Sequence, residues 1–231
     1  MFSALSLPVS PWGLSGTVLG TLMNDPAALA AAGDEASFAA SRYKAAPRAP
    51  VLYVKPRNTL SGAGAEVEVP DGGEFEVGVS LGLVIGRAAC RVSAADALAH
   101  LAGWTLVLDL SVPHDDFYRP SARQKARDGS CVIGPRVAPR EAVADPDSLE
   151  LVLRVDGQVA RVVSTAGMRR PAARLLADVS EFMTLHPGDV LMLGVAHGAP
   201  RARAGQRLLA EADGLGRLQA LLVEGCREAR A

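Results

Sequence analysis

The polar segment DDFYRPSARQKARDGS, residues 115–130, is the densest cluster of side chains able to bind and transform a small anion. Its candidate substrate-binding and catalytic residues are Tyr118, Arg119, Lys125, Arg127 and Asp128. Arginine holds a carboxylate through paired hydrogen bonds, and a lysine amine can stabilise an enolate or transfer a proton. A solvated loop is the alternative for a charged segment without periodicity. Because this segment follows an apolar strand that carries an acid, we expect it to be functional.

That acid is Asp109, within the otherwise apolar run WTLVLDLSV. A buried carboxylate without a partner costs several kcal/mol, so Asp109 requires a structural or functional explanation. Lys55 is a second candidate, since it stands at the end of the strand VLYV, where the chain turns away, and precedes the polar residues Asn58 and Thr59. A partly desolvated lysine stabilises an enolate or acts as a base. A surface lysine is the equally weighted alternative.

Several common chemistries lack their motifs here. The sequence has no GxSxG elbow, P-loop, HExxH or GxGxxG with a ribose-binding acid, which argues against serine hydrolysis, nucleotide hydrolysis and hydride transfer. We therefore expect no nucleotide cofactor. The histidines are spaced too irregularly for a metal triad, and the cysteines form no CxxC pair. We expect buried, structural thiols in a reducing compartment; the cysteines are Cys90, Cys131 and Cys226.

Composition limits the partners. The chain has 231 residues, 49% of them hydrophobic and 21% charged, with a formal net charge of -1. Such a chain can bury a large core but lacks the basic excess of nucleic-acid binding. No apolar run is long enough to span a membrane, and the opening segment contains Pro8 and Pro11 without a basic region. The sequence therefore predicts a cytoplasmic protein that binds neither nucleic acid nor membrane.

The hydrophobic pattern predicts a mixed α+β, β-rich fold in one domain, residues 49–231. It follows residues 1–48, an irregular arm with one alanine-rich helix capped by Asn24 or Asp25. The expected strands are VLYV, FEVGVSLGLVIG, WTLVLDLSV, a hairpin turning at Asp156-Gly157, and the strand after HPGD. Helices are expected after Ser93, ending at Gly103, and from Ala172 to Met183. The C-terminal segment EADGLGRLQALLVEGC predicts either a hairpin or a strand and short helix.

The order of several motifs resembles the fumarylacetoacetate hydrolase superfamily. They are Lys55-Pro56, VIGR, AGWTLVLD, KARDGSCVIGP, VDGQVAR and SEFMTLHPGDVLMLG. KPRNT, FYRP and KARDG are similar to the isomerase-type branch of the isomerase/decarboxylases of 4-hydroxyphenylacetate degradation. The resemblance covers residues 50–215. It implies a mixed β-sandwich roll with a few flanking helices.

The resemblance also implies a divalent cation, magnesium or manganese, held by a Glu-x-Glu pair and an aspartate. Aligned on Val84-Ile85-Gly86, the glutamate positions fall on Gly78 and Ser80, whereas the aspartate is retained as Asp109. A shift of register would instead offer Glu74 and Glu76. The family's lysine and aspartate match Lys125 and Asp128, and its KP lysine matches Lys55.

The family function implied is isomerisation of 2-hydroxyhepta-2,4-diene-1,7-dioate, or decarboxylation of 5-oxopent-3-ene-1,2,5-tricarboxylate. In this interpretation Lys125, oriented by Asp128, stabilises or protonates the dienolate, and Lys55 supplies further positive charge. Carboxylate binding falls to Arg119 and Arg127, and the remaining substrate-binding candidates are Tyr118 and Asn58. Two alternatives stay open: a non-catalytic partner of a metal-competent paralogue and a metal-dependent acylpyruvate hydrolase. A homodimer or heteromer is expected from the family.

Overall fold

The computed structural model describes residues 16–40, 44–70, 72–114 and 121–225. Within them the chain forms thirteen strands and four short α-helices. The strands are β1 (Val18–Leu22), β2 (Val51–Lys55), β3 (Leu60–Gly62), β4 (Ala65–Val69), β5 (Phe75–Ile85), β6 (Leu101–Ser111), β7 (Cys131–Ile133), β8 (Glu150–Val155), β9 (Gln158–Ser164), β10 (Val190–Met192), β11 (Arg201–Ala202), β12 (Arg207–Ala212) and β13 (Gly216–Glu224). The helices are α1 (Pro26–Ala32), α2 (Glu35–Ala40), α3 (Ala122–Lys125) and α4 (Ala172–Ser180).

Two sheets share one core. The larger has the order β2-β1-β10-β5-β6-β7-β3, with β11 paired to β5, and the smaller has the order β4-β13-β12-β8-β9. Apolar side chains of both sheets pack together, among them Leu81, Leu108, Leu153 and Leu218. Strands β5 and β6 are buried on both faces along most of their length, and for this reason most of their residues are apolar.

The register of β5 and β6 sets the position of the acidic residue. These strands pair antiparallel along their length, and Gly78 lies opposite Asp109 while Glu76 lies opposite Ser111. Residues two apart on a strand share a face. Glu76, Gly78 and Ser80 therefore line up on the face that carries Asp109.

Both predicted hairpins form. Strands β8 and β9 pair antiparallel, and Asp156 and Gly157 at their turn both have positive φ. That conformation is the one that an Asp-Gly type I′ turn requires. At the C-terminus β12 pairs antiparallel with β13, so the hairpin alternative is correct.

The helix predictions are wrong in two places. The alanine-rich stretch breaks at Gly33, where φ is 138°, and continues as α2 after the Asp34 carboxylate accepts hydrogen bonds from Ser37. After Ser93 only a 3-10 turn forms, at Ala97–His100, and β6 already begins at Leu101. The Ser93 hydroxyl accepts from the Asp96 amide, but this bond closes a separate turn ahead of the 3-10 turn, whose N-cap is Asp96.

Residues 1–48 were expected to form an irregular arm and one helix, but they also contribute the strand β1. β1 pairs antiparallel with β2 and parallel with β10, inside the larger sheet. Asp25 caps α1 by accepting from the Ala27 amide. The predicted burial of thiols holds for Cys131 but not for Cys90, which is exposed, and Cys226 lies outside the described residues. No helix in the described ranges has the length and apolar character to span a bilayer.

Candidate functional site

Asp109 is the centre of a buried ionic cluster. One carboxylate oxygen lies 2.9 Å from the Lys55 amine and the other lies 3.3 Å from the Lys125 amine. The side chains of Asp109 and Lys55 are 1% and 0% exposed, and that of Lys125 is 15% exposed. The acid therefore has two cationic partners, which is the explanation that its position in an apolar strand required.

Two hydroxyl groups complete the cluster. Tyr53 on β2 donates a hydrogen bond to Asp109, and the Lys125 amine donates to Ser111 Oγ at 2.8 Å. The same amine lies 4.5 Å from the centre of the Tyr53 ring. The ring reaches this position because Gly20 lies opposite Tyr53 in β1; a Cβ at Gly20 would overlap the ring.

The electrostatics keep the carboxylate ionised. Burial by itself raises the pKa of Asp109, but the charges of Lys125 and Lys55, with hydrogen bonds from Lys55 and Tyr53, outweigh it and lower the pKa to about 2. Burial and the adjacent Asp109 charge raise the pKa of Tyr53 well above its usual value, so this phenol stays a donor. Burial likewise raises the pKa of Cys131 to about 12, as expected of a structural thiol.

Lys55 also fixes the backbone that carries Lys125. Its amine donates to the Lys125 carbonyl at 2.7 Å and lies 3.3 Å from Ser130 Oγ. Lys55 is thus wholly buried and supports the loop, whereas the Lys125 side chain is partly exposed and lines a cavity. Of the two lysines, Lys125 is therefore the cation available to a ligand.

The cavity beside Lys125 has a volume of about 900 Å³. Its polar lining in the described residues is Glu76, His114, Ser121, Lys125, His197 and Arg48. Most of the remaining lining is apolar. It comes from α1, which contributes Ala28 and Ala31, from α2, which contributes Phe38, and from residues 45–51. A cavity with polar residues and a cation on one side and an apolar wall on the other suits a small organic anion.

The structure places three of the predicted site residues at the exposed surface and outside the described lining of this cavity. Asn58 donates to the Asp128 carboxylate at 2.6 Å and to the Ala126 carbonyl at 3.1 Å. Asp128 and Arg127 are exposed. The orientation of Lys125 by Asp128 is therefore corrected: the amine of Lys125 is oriented by Asp109 and Ser111. Substrate contacts by Asn58 and Arg127 stay a prediction.

The described residues do not fit a divalent cation at the position that the family resemblance implied. A Cβ at Gly78 would lie 2.7 Å from both methyl groups of Val195, so no glutamate side chain has room there. The Ser80 hydroxyl accepts from the Gly194 amide at 3.2 Å. Both oxygens of Asp109 already face lysine amines. No cluster of three His, Cys, Asp or Glu side chains able to hold a metal occurs in the described part of the chain.

The alternative acidic pair does not replace these ligands. Glu74 is bound by Arg201 at 2.7 Å and by Arg203 at 3.3 Å. Glu76 lies on the same face as Gly78 but opposite Ser111, which is two residues along β6 from Asp109. A shifted Glu-x-Glu pair therefore does not converge with Asp109.

Sequence reasoning brought together Lys55, Lys125 and Asp109 but did not single out Tyr53 or Ser111. The sequence held a signal for both. Tyr53 lies two residues before Lys55 and Ser111 lies two residues after Asp109, and residues two apart on a strand share a face. His114 and His197, which sequence reasoning did not single out, line the cavity. The predicted substrate-binding residues Tyr118 and Arg119 lie outside the described residues.

Comparison with known proteins agrees with this architecture. A model of the fumarylacetoacetate (FAA) hydrolase C-terminal family matches residues 15–223. An Escherichia coli 4-hydroxyphenylacetate degradation bifunctional isomerase/decarboxylase is 35% identical over 211 residues, which are 91% of this chain and 48% of that protein. The chain thus spans about half the length of the curated relatives of this type that it matches.

Solved structures show the same fold. A 2-hydroxyhepta-2,4-diene-1,7-dioate isomerase from Mycobacterium marinum has a TM-score of 0.73 and 25% identity, over 93% of this chain and 77% of that one. A fumarylpyruvate hydrolase from Pseudomonas aeruginosa, in complex with Mn²⁺ and pyruvate, has a TM-score of 0.76 and 24% identity, over 90% of each chain. The predicted β-rich mixed fold is confirmed.

Proposed function

Because this chain belongs to the fumarylacetoacetate hydrolase family, we propose that it isomerises small dicarboxylic keto-enols such as 2-hydroxyhepta-2,4-diene-1,7-dioate without a divalent cation. The observation that carries the proposal is the Lys125 amine, held beside the cavity by an ionised, buried carboxylate. The relatives named isomerase support the reaction class. The absence of room at Gly78 supports the cation-free form.

In this proposal Lys125 stabilises the oxygen of the dienolate and exchanges a proton with it. A preorganised charge in a partly buried site stabilises a developing oxyanion at little cost in reorganisation. Lys55 adds positive charge behind Asp109 and holds the Lys125 backbone, so it acts by positioning. Arg48, which lines the cavity, and the predicted Tyr118 and Arg119 are the candidates for contact with the substrate carboxylates.

Replacement of Lys125 tests the role directly. Lys125→Met keeps the length of the side chain but removes the charge, and we expect keto-enol conversion to fall at least ~100-fold, within the range for loss of a general acid or oxyanion donor. The matched control is Lys44→Met, because Lys44 is exposed and is absent from the described cavity lining. Full turnover by Lys125→Met, measured by the change in dienoate absorbance, would contradict the proposal.

A second candidate function is a non-catalytic subunit that supports a metal-competent paralogue. The glutamate positions occupied by Gly78 and Ser80 favour it, as does the match to about half of each longer relative. The purified chain, assayed alone and with such a paralogue, distinguishes the two. We expect the chain alone to isomerise, with decarboxylation supplied by the partner in a dimeric or heteromeric assembly. A metal-dependent acylpyruvate hydrolase would instead lose its activity on chelation.

A further inference from the structure

We propose that Glu76 is the catalytic base of this site and carries the proton to and from the substrate carbon. The inference rests on the proposed isomerisation and adds the residue that this chemistry still lacks. Keto-enol conversion needs both a cation near the oxygen and a base near the carbon. Among the described lining residues, Glu76 is the one carboxylate that faces the cavity.

The sheet register brings Glu76 close to Lys125. Glu76 lies opposite Ser111 in the β5–β6 pair, and Ser111 accepts a hydrogen bond from the Lys125 amine at 2.8 Å. Opposite residues of an antiparallel pair have Cβ atoms about 4.5–5.5 Å apart. Glu76 and Lys125 both also line the cavity, so a ligand inside it can contact each of them. In this proposal the Lys125 amine contacts the carbonyl oxygen, and the Glu76 carboxylate contacts the adjacent C–H group.

Glu76 differs from its acidic neighbours in the contacts that its carboxylate makes. Asp109 is buried and is neutralised by two lysines. Glu74 takes the close contacts of Arg201 and Arg203, whereas Glu76 lies 3.8 Å from Arg201 and its side chain is 39% exposed. Glu76 also stands on a long strand buried in the larger sheet, so its backbone is fixed.

The two cavity histidines are the competing bases. His197 lies in a loop and is held through its own backbone. Its amide donates to the Asp25 carboxylate, and its carbonyl accepts from the Arg161 guanidinium. His114 follows β6, and its Nδ1 is buried with no hydrogen-bond partner among the described residues. Neither histidine is held by pairing with the strand that anchors Lys125, which favours Glu76.

The step moves protons only. In the enol-forming direction the Glu76 carboxylate takes a proton from the carbon beside the ketone. The C–H electron pair becomes the new C=C bond, and the carbonyl π pair moves to oxygen. The enolate oxygen then takes a proton from the Lys125 ammonium. Solvent exchange restores both side chains, and the reverse reaction follows the same path.

The test uses the full chain with 2-hydroxyhepta-2,4-diene-1,7-dioate in D₂O, and NMR measures deuterium entry at carbon. We expect Glu76→Gln to slow this exchange at least ~100-fold while calorimetry shows that binding of oxalate, an enolate mimic, is retained. Glu74→Gln is the matched control, since it shares Arg201 but is absent from the described lining, and it should exchange at the wild-type rate.

The possible failures can be told apart. Exchange by Glu76→Gln at the wild-type rate would overturn this inference alone, as would equal losses in Glu76→Gln and Glu74→Gln. Loss of exchange in His114→Gln with Glu76→Gln unaffected would assign the base to His114. A wild-type chain that shows no exchange would overturn the proposed function together with this inference. Thermal unfolding of each variant checks that it is folded.

Discussion

At the scale of residues, the charge on Asp109 depends on partners from separate parts of the chain. Tyr53 and Lys55 come from β2, and Lys125 comes from α3. Removing one member of a buried ionic group leaves the remaining charge without compensation, which typically costs ~3–5 kcal/mol. The cluster therefore connects the stability of the fold with the position of the Lys125 amine.

Asp109→Asn should lower the free energy of unfolding by ~3–5 kcal/mol, because it leaves two lysine charges without a counter-ion. Denaturant unfolding followed by circular dichroism measures the change. The control is Asp213→Asn at an exposed turn, where we expect a change within ~0.5 kcal/mol. Equal effects of the two substitutions would show that the ionic cluster does not form as described.

The pKa of Asp109 gives a second prediction. A folded pKa of about 2 lies below that of an unfolded aspartate, about 3.9. The resulting stabilisation, about 2–3 kcal/mol, is fully present above about pH 4 and is lost as the pH falls through about 2. In carbon-13 NMR we expect the Asp109 carboxyl signal to stay that of a carboxylate down to the pH of acid unfolding. A titration midpoint at about pH 4 for this signal would contradict the contacts of Asp109 with Lys55 and Lys125.

The prediction from sequence brought together Lys55, Lys125 and Asp109, which do meet, but it was wrong about which residue orients Lys125. Three sequence signals indicated these residues. The cost of burying an acid indicated Asp109, the position at a strand end indicated Lys55, and the polar loop indicated Lys125. The orientation of Lys125 by Asp128 could not be tested by spacing. The loop turns so that Asp128 meets Asn58 instead.

At the scale of elements, the pairing of β5 with β6 determines what the site can contain. Gly78 lies opposite Asp109, and Val195 fills the space in front of it. The apolar runs of these strands were predictable because they are long, rich in β-branched residues and bounded by turns. The packing of Val195 onto Gly78 was not, because it joins segments distant in the chain.

Gly78→Ala tests this packing. Its new Cβ would lie 2.7 Å from the Val195 methyl groups, and overpacking of this kind costs ~1–3 kcal/mol. The paired variant Gly78→Ala with Val195→Ala relieves the overlap, so we expect it to be less destabilised than the sum of the two single variants. Denaturant unfolding of all three measures the coupling. Strictly additive effects would show that Val195 does not occupy the place of a glutamate.

Local helix signals were less reliable than strand signals. The alanine-rich segment was predicted as one helix, but Gly33 divides it and Asp34 caps the second part. The predicted helix after Ser93 yields to β6, because the strand gains its full row of pairs with β5. Tertiary pairing of this kind overrides local propensity. The broken helices matter for the site, since α1 and α2 supply much of the apolar wall of the cavity.

At the scale of the whole molecule, the fold of the fumarylacetoacetate hydrolase family surrounds a buried ionic cluster with two lysines. A solved structure of the same fold is in complex with Mn²⁺ and pyruvate. In this chain the two amines of Lys55 and Lys125 stand at the retained aspartate. The family resemblance correctly predicted the fold, and the loss of two ligand positions stays a prediction. The resemblance could not predict the ionic cluster, which depends on the distances between three elements.

The most direct test of this account is the rate of keto-enol conversion by wild-type protein after chelation and removal of bound metal, with and without added Mn²⁺. We predict the same rate in both conditions. We also predict a loss of at least ~100-fold in Lys125→Met under either one. Activity that disappears on metal removal and returns with Mn²⁺ would contradict the claim that the lysines act at Asp109 without a cation.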